Sequence, residues 1–249
     1  MVVMIDPQDF VGLSRADRDR AVQRKLAAVP GHHTRDSGSA VKSLPRIDGL
    51  LPVPPPLADI LPDGGIRRGT VTSYSGVAGP LAGIVAAVTA AGGNVALSGV
   101  PQLNPYAVVE MSGDLDRMYF VPDPGDDHAE VLGVLVDGFS LVVAGARGLA
   151  LPPSRSSAIA ARARASGCSV ILTGGIRWQG SGLRIVTRVV GYEGIGRGYG
   201  RITKLRFKIR AQGAGQVRSG VVEHSPAGGG VEWTAAAVAP VEQLQTGTR

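Results

Sequence analysis

A glycine-rich stretch between a predicted strand and a predicted helix limits the fold of this chain more than any other feature of its sequence. Residues 69–74 have strand character, residues 75–83 read SGVAGPLAG, and residues 84–91 are apolar and rich in alanine. A strand, a glycine loop and a helix in this order are the setting of a phosphate-binding P-loop. The stretch therefore predicts the first strand–helix unit of an α/β sheet.

The residues that give a P-loop its chemistry are missing. When the template G-x-x-x-x-G-K-[ST] begins at Gly76, its second glycine falls on Leu81, its lysine on Ala82 and its hydroxyl residue on Gly83. Pro80 also removes a backbone N–H that could donate to phosphate. A plain strand-to-helix turn fits the stretch better than a working site, and we predict that no cofactor binds there. The relic consists of Gly76, Gly79, Leu81, Ala82 and Gly83.

Other parts of an ATPase are also absent. The strand that would end in a metal-binding aspartate reads LVVAGA over 141–146, and the strand that would precede a catalytic glutamate reads ALSGV over 96–100. Cys168 is the single cysteine, which excludes an internal disulfide and a cysteine zinc cluster, and it is expected to be buried. The sequence therefore predicts a protein that is not an enzyme, with no catalytic or metal-binding residues.

Strands and helices alternate through the middle of the chain. Apolar strands are predicted at 70–74, 94–98, 119–121, 140–145 and 167–173, and helices at 80–91, 105–111, 129–138 and 154–166. Near-continuous apolar strands in this alternation indicate a mostly parallel sheet with helices on both faces. Glycine-separated strands at 183–194, 201–213 and 220–225 are expected to extend the sheet as antiparallel strands.

The chain divides into four parts. A helix at 13–29 lies within an N-terminal segment, 1–30, and a linker follows over 31–56 that is proline-rich at its end. The short helical turn 57–61 opens a core of residues 57–233, and a mobile tail covers 234–249. The N-terminus has neither a signal peptide nor a long apolar run, so a cytoplasmic location is expected.

Basic residues are concentrated in one block. The net charge is +6, and residues 177–218 hold ten basic residues and one acid, Glu193, so this block carries +9 and the remainder −3. The strand 201–210 has one basic face, which either binds a phosphate backbone or is a solvated face protected against edge pairing. Trp178 could stack on a base, or belong to an amphipathic loop closing the sheet end. The candidate DNA contacts are Arg177, Trp178, Arg201, Lys204, Arg206, Lys208 and Arg210.

Two segments carry a resemblance to a known family. The segment LADILPDGGIRRGTVTSYSG (57–76) resembles the entry to the RecA core, and LDRMYFV (115–121) resembles the RecA-like segment before the next strand. The order of elements over about 44–235 is similar to that of the ImuA family, RecA-like accessory proteins of bacterial damage-induced mutagenesis. The alanine-, glycine- and arginine-rich, lysine-poor composition resembles the actinobacterial ImuA-prime branch.

The resemblance implies a non-catalytic adaptor with a RecA-like core and degenerate Walker motifs. Such a protein works in the SOS response with ImuB, a polymerase-like protein, and recruits an error-prone polymerase for translesion synthesis, at the nucleoid after DNA damage. The connections 146–153 and 174–182 are short for RecA DNA-binding loops, so ATP-driven filaments are not expected. The alternative is an ATP-independent DNA-binding protein that uses the basic block 177–218.

The N-terminal helix resembles the RecA polymerisation arm. It would mediate self-association or dock the ImuB-type partner, unless it folds onto its own core. The C-terminal tail is a second candidate for docking. The candidate partner-binding residues are Val22, Leu26, Val29 and Trp233.

Overall fold

The computed structural model describes residues 3–4, 49–126, 128–145, 149, 152–175, 178, 180–196, 199–228 and 230–236. The predicted helix at 13–29 lies outside these ranges, and so do most of the linker 31–56 and the tail from 237 onward. Four of the predicted site residues also lie outside the described residues: Val22, Leu26, Val29 and Arg177.

Twelve strands and five α-helices are present in the described residues. The strands are β1 (Val3–Met4), β2 (Leu50–Leu51), β3 (Ile66–Arg67), β4 (Val71–Ser75), β5 (Val95–Ser98), β6 (Met118–Val121), β7 (Leu141–Gly145), β8 (Ser169–Thr173), β9 (Leu183–Gly196), β10 (Tyr199–Gly213), β11 (Gln216–Ala227) and β12 (Gly230–Ala235). The helices are α1 (Pro55–Ala58), α2 (Ala78–Ala90), α3 (Pro105–Glu110), α4 (His128–Gly138) and α5 (Pro153–Ser166).

Ten of these strands form one sheet, in the order β1-β6-β5-β7-β8-β4-β9-β10-β11-β12. Every neighbouring pair from β1 to β9 is parallel, and β10, β11 and β12 add to it as antiparallel strands. The predicted mostly parallel α/β sheet with an antiparallel C-terminal extension is therefore confirmed. The two remaining strands, β2 and β3, pair antiparallel in a small separate sheet.

The expectation of an antiparallel extension was wrong for β9, its first strand. This strand pairs in parallel with β4, with Thr72 opposite Leu183 and Ser75 opposite Val186. Because β8 lies on the other side of β4, the chain between β8 and β9 has to return from the carboxyl end of the sheet to its amino end. Trp178 belongs to this connection, and it is buried among apolar residues of β4, β7 and β8.

The helices cover the two faces of the sheet separately. On the first face, α1, α2 and α3 pack against Tyr74, Leu97, Ile171 and their neighbours in one apolar cluster. On the second face, α4 and α5 pack against the alternate residues of β5 to β8 in another. Helix α2 is buried over most of its surface, as expected for a helix that is apolar all round. Cys168 is fully buried in the second cluster, and burial raises the pKa of its thiol.

Local differences from the sequence prediction have simple causes. Helix α1 begins at Pro55, within the stretch predicted as linker, because proline is well suited to the first helical position. Strand β2 lies in the stretch predicted as linker, and β12 extends two residues beyond Trp233.

Within the described ranges no helix is long and apolar enough to span a membrane.

Candidate functional site: the loop after β4 and the basic sheet face

The loop between β4 and α2 is closed by hydrogen bonds to β9. The Val77 N–H donates to Thr187 Oγ1 over 3.0 Å, and the Tyr74 hydroxyl donates to the Val77 carbonyl over 2.6 Å. Tyr74 and Thr187 are themselves 3.0 Å apart at their hydroxyl oxygens. In a P-loop, backbone N–H groups of this region point at phosphate. Here, the Val77 N–H is already bonded to a threonine of the same chain.

Gly76 lets β9 approach the loop closely. Its φ is +115°, and a Cβ at this position would lie 2.6 Å from Thr187 Oγ1 and closer still to the Thr187 carbonyl oxygen. An L-residue there would be strained in its backbone and in collision with β9. The glycine that a P-loop uses for close approach to phosphate is therefore used for close approach to a neighbouring strand.

Three aromatic side chains from successive strands cover the first turns of α2. Phe207 of β10, His224 of β11 and Trp233 of β12 form an edge-to-face stack, with ring centroids 4.7 Å and 3.7 Å apart. A Cβ on Gly79 would lie 3.0 Å from Phe207 Cζ, and a Cβ on Gly83 would lie 2.9 Å from Trp233 Cε2. The two glycines are four residues apart on one helix face, so both are needed for this contact.

The template positions for lysine and hydroxyl residues are enclosed by protein. Leu81 and Ala82 are almost completely buried, and the Trp233 ring packs directly on Gly83. Burial of His224 lowers its pKa to about 4, so the imidazole in the stack is neutral at pH 7. The residues of the relic therefore come together in space, where Leu81 and Ala82 are buried and the three glycines are covered by side chains or backbone of β9, β10 and β12.

The ends of β5 and β7, which β8 separates from β4, are also closed by contacts within the chain. A Cβ on Gly145, the last residue of β7, would lie 2.9 Å from the Gly99 carbonyl carbon, and Ala144 before it is buried. His128 is buried beside Gly99, with its Nε2 3.0 Å from Ser98 Oγ, and burial lowers its pKa. No group of three or more metal-ligating side chains occurs in the part of the chain that the structure describes.

The basic strand predicted at 201–210 lies inside β10, and β10 is not an edge strand. It pairs with β9 on one side and β11 on the other. Its lysines and arginines therefore do not protect an exposed edge, and of that alternative the solvated strand face remains. On the first face of β10, Phe207, Ile209 and Ala211 are buried in the core. The intervening basic residues project from the second face, where Lys208 and Arg210 are exposed.

Two of the predicted DNA contacts are neutralised within the sheet. Arg206 donates to Glu223 over 2.7 Å and also pairs with Glu193, and Lys204 Nζ is 3.3 Å from Glu223 and 3.8 Å from Glu193. The hydrogen bond from Arg206, more than any other cause, lowers the pKa of the Glu223 carboxyl. Two cations and two carboxylates form a balanced network, so Lys204 and Arg206 carry little net charge toward a partner.

The next residues along the same face form no ion pair with a carboxylate among the residues that the structure describes. Lys208 lies directly opposite Arg188 of β9, and Arg210 lies opposite Val186. Their neighbours on β11 are Val221 for Lys208 and Ser219 for Arg210. The sequence analysis did not single out Arg188 or Arg184, although both lie in the strand predicted at 183–194, which pairs antiparallel with β10. We name the four cations the basic patch. Its members are Arg184, Arg188, Lys208 and Arg210.

The remaining predicted contact residues, Arg201, Trp178 and Trp233, lie outside the basic patch. Arg201 is exposed near the start of β10, far along the β9–β10 hairpin from the apolar core. Trp178 is only 6% exposed and is packed on the second face of the sheet, so its ring is not available to stack on a base. Trp233, predicted as a partner contact, is half-buried in the aromatic stack on α2.

The fold and the loop together define a class of protein: an α/β sheet protein whose glycine-rich turn after β4 is closed by contacts within the chain. A family model described as the MT3502 N-terminal domain matches residues 59–180. The uncharacterized protein Rv3395c of Mycobacterium tuberculosis (strain ATCC 25618 / H37Rv) is 43% identical over 164 residues, which cover 62% of this chain and 80% of the relative. The chain belongs to the same family as this mycobacterial protein.

Proposed function

We propose that the protein is a non-catalytic, RecA-like adaptor of the ImuA type, in its ImuA-prime form. It would act in DNA-damage-induced translesion synthesis and mutagenesis, bind an ImuB-type polymerase-like protein and support recruitment of an error-prone polymerase. The resemblance of residues 57–76 and 115–121 to RecA-like segments gives the direction of this proposal. Its location would be cytoplasmic, at the nucleoid during DNA damage.

One observation carries the non-catalytic part of the proposal: the phosphate-binding positions of the loop are occupied by the chain itself. Thr187 holds the Val77 N–H, and Trp233 packs on Gly83 where a P-loop has its magnesium-binding hydroxyl. A nucleotide would have to displace both contacts without a lysine to pair with its phosphates. Each missing charge-assisted contact removes about 1.5–3 kcal/mol of binding free energy.

The adaptor role is supported by the intact α/β sheet, which is present although the loop is closed. The α/β sheet is complete, with a buried core on both faces, while the loop and the ends of β5 and β7 are closed. A fold kept without its chemistry is suited to present surfaces to other proteins. The β9–β10 hairpin offers such a surface, because Tyr192, Ile195, Tyr199 and Ile202 are exposed along it.

The test combines a nucleotide titration with partner binding. The full-length protein is titrated with ATP–Mg²⁺ by calorimetry, and its affinity for an ImuB-type protein is measured with and without ATP. We expect no heat of nucleotide binding and the same partner affinity in both conditions. Micromolar ATP binding, ATP hydrolysis or failure to bind the ImuB-type protein would contradict the proposal.

A second candidate function is ATP-independent DNA binding. The observation in its favour is the basic patch, where four cations share one exposed sheet face and no carboxylate pairs with them in the described residues. A weak affinity for DNA that falls steeply with salt is expected. Direct titration of the protein with DNA tests this candidate separately from nucleotide and partner binding.

A further inference from the structure

We propose that the basic patch on the second face of β9 and β10 is a binding surface for the phosphate backbone of single-stranded nucleic acid. This inference rests on the second candidate function and assigns it to particular residues. It also excludes from the surface Lys204 and Arg206, which lie on the same strand face.

The first step is the unfavourable placement of like charges. Lys208 and Arg188 are directly opposite each other on neighbouring strands, and both are exposed. Like charges in this arrangement repel and destabilise a sheet. Arg210 follows Lys208 on the same face, about 7 Å further along at two residues of about 3.3 Å each. Concentrated positive charge of this kind is stabilised by an anion bound over it.

The second step is the contrast with the adjoining residues. Arg206 and Lys204 occupy the same strand face, and each contacts both Glu193 and Glu223. Within the described ranges, the sheet therefore pairs its cations with carboxylates at one end of the face and not at the other. A requirement for solubility would apply equally to both ends of this strand face. It does not explain why Lys204 and Arg206 have carboxylate partners and the basic patch does not, and this difference points to a ligand for the basic patch.

The third step concerns the kind of anion. The basic patch lies on only two strands, and Val186 lies between Arg184 and Arg188 on the same face with 36% of its surface exposed. Apolar surface among cations suits a partner that presents phosphates together with unpaired bases. A duplex shows mainly phosphate and sugar outside its grooves, so a single strand fits this surface better.

The experiment measures binding of a fluorescently labelled oligothymidylate of about 20 nucleotides to the full-length protein by anisotropy. The test variant is Lys208→Gln/Arg210→Gln. The matched control is Arg155→Gln/Arg218→Gln, which removes the same charge from the exposed surface of α5 and from β11 opposite Ala211, whose side chain is on the first face. Salt is varied between about 50 and 200 mM.

We expect the test variant to bind roughly tenfold more weakly at the low-salt end, and the log–log salt slope to decrease by about 1.4, at about 0.7 per phosphate contact. The control should keep the wild-type slope within about 0.3. Thermal unfolding is recorded for both variants. The test variant should melt at or above the wild-type temperature, because it loses the repulsion between Lys208 and Arg188.

Each contrary outcome overturns a defined part of this proposal. If the wild-type protein binds no oligothymidylate, the second candidate function fails as a whole. If the wild type binds but the test variant equals the control, the assignment to the basic patch fails. Tighter binding to a duplex of equal length overturns the choice of a single strand. If the test variant loses binding to an ImuB-type protein while its DNA binding is unchanged, the surface is a protein-binding one.

Discussion

Trp233 packs its indole ring on Gly83, so the last strand of the sheet rests on the helix that follows the glycine loop. The contact joins residues 150 positions apart and is made at the place where a P-loop has its magnesium-binding hydroxyl. Any side chain at position 83 would collide with the ring. The contact therefore depends on the absence of a side chain at position 83.

Gly83→Ala is expected to destabilise the protein by about 1–2 kcal/mol. Displacement of the Trp233 ring should cost about 1–3 kcal/mol, partly offset by the higher helix propensity of alanine. Denaturant unfolding measures the change. The Gly83→Ala/Trp233→Leu double variant closes a double-mutant cycle, and a coupling energy near zero would mean that the two residues are not in contact.

Thr187→Val should destabilise the protein by about 1–3 kcal/mol, since the Val77 N–H loses its acceptor and the Tyr74 hydroxyl loses one of its two partners. Thr187→Ser retains the hydroxyl and is the matched control, with a loss below about 1 kcal/mol. A larger loss for Thr187→Ser than for Thr187→Val would show that the methyl group of Thr187, and not its hydrogen bonds, holds the loop.

His224 should make stability depend on pH between 6.5 and 4. Burial lowers its pKa to about 4 in the folded state, whereas the unfolded chain takes up a proton near 6.5. Between these pH values the unfolded chain binds a proton at His224 that the folded protein does not bind. The free energy of unfolding is therefore highest above pH 6.5 and decreases as the pH falls toward 4. His224→Phe keeps an apolar ring and cannot titrate. Its stability should fall about 2–3 kcal/mol less than that of the wild type between pH 7 and pH 4, as measured by urea unfolding.

Arg206 and Lys208 are two residues apart on one strand face and should respond oppositely to neutralisation. Arg206→Gln breaks contacts with Glu193 and Glu223 and should lower the free energy of unfolding. Lys208→Gln relieves repulsion with Arg188 and should be neutral or stabilising by a few tenths of a kcal/mol, roughly. The difference should shrink in about 1 M salt. A difference that persists at high salt would indicate packing of the aliphatic stems as the cause.

Much of the α/β sheet could be predicted because its signals are local. The runs LVVAG of β7 and SVILT of β8 are apolar throughout, as strands buried on both faces must be, and Gly167 ends α5 in a left-handed conformation. The missing lysine and aspartate could also be read directly from the sequence. These features depend on residues within a few positions of one another.

The partners of β9 and of the loop could not be predicted, because they depend on distant residues. The alternation of β9 is the same for a parallel and an antiparallel strand, so its pairing with β4 had no local signal. Thr187 acts on Val77 from 110 positions away. One available signal was overlooked: Gly79 and Gly83 share a helix face in a chain with only 4% aromatic residues, and a bulky ring has to fill the space they leave.

The placement of β9 has a consequence for synthesis of the chain. Until residues 183–186 leave the ribosome, β4 has β8 on one side and an unpaired edge on the other, next to a loop that lacks Thr187. An open edge in the middle of a future sheet is prone to pair with other chains. A nascent or truncated protein that stops before β9 would therefore be prone to aggregate through the open edge of β4. The sheet can be completed only after β9 has been synthesised.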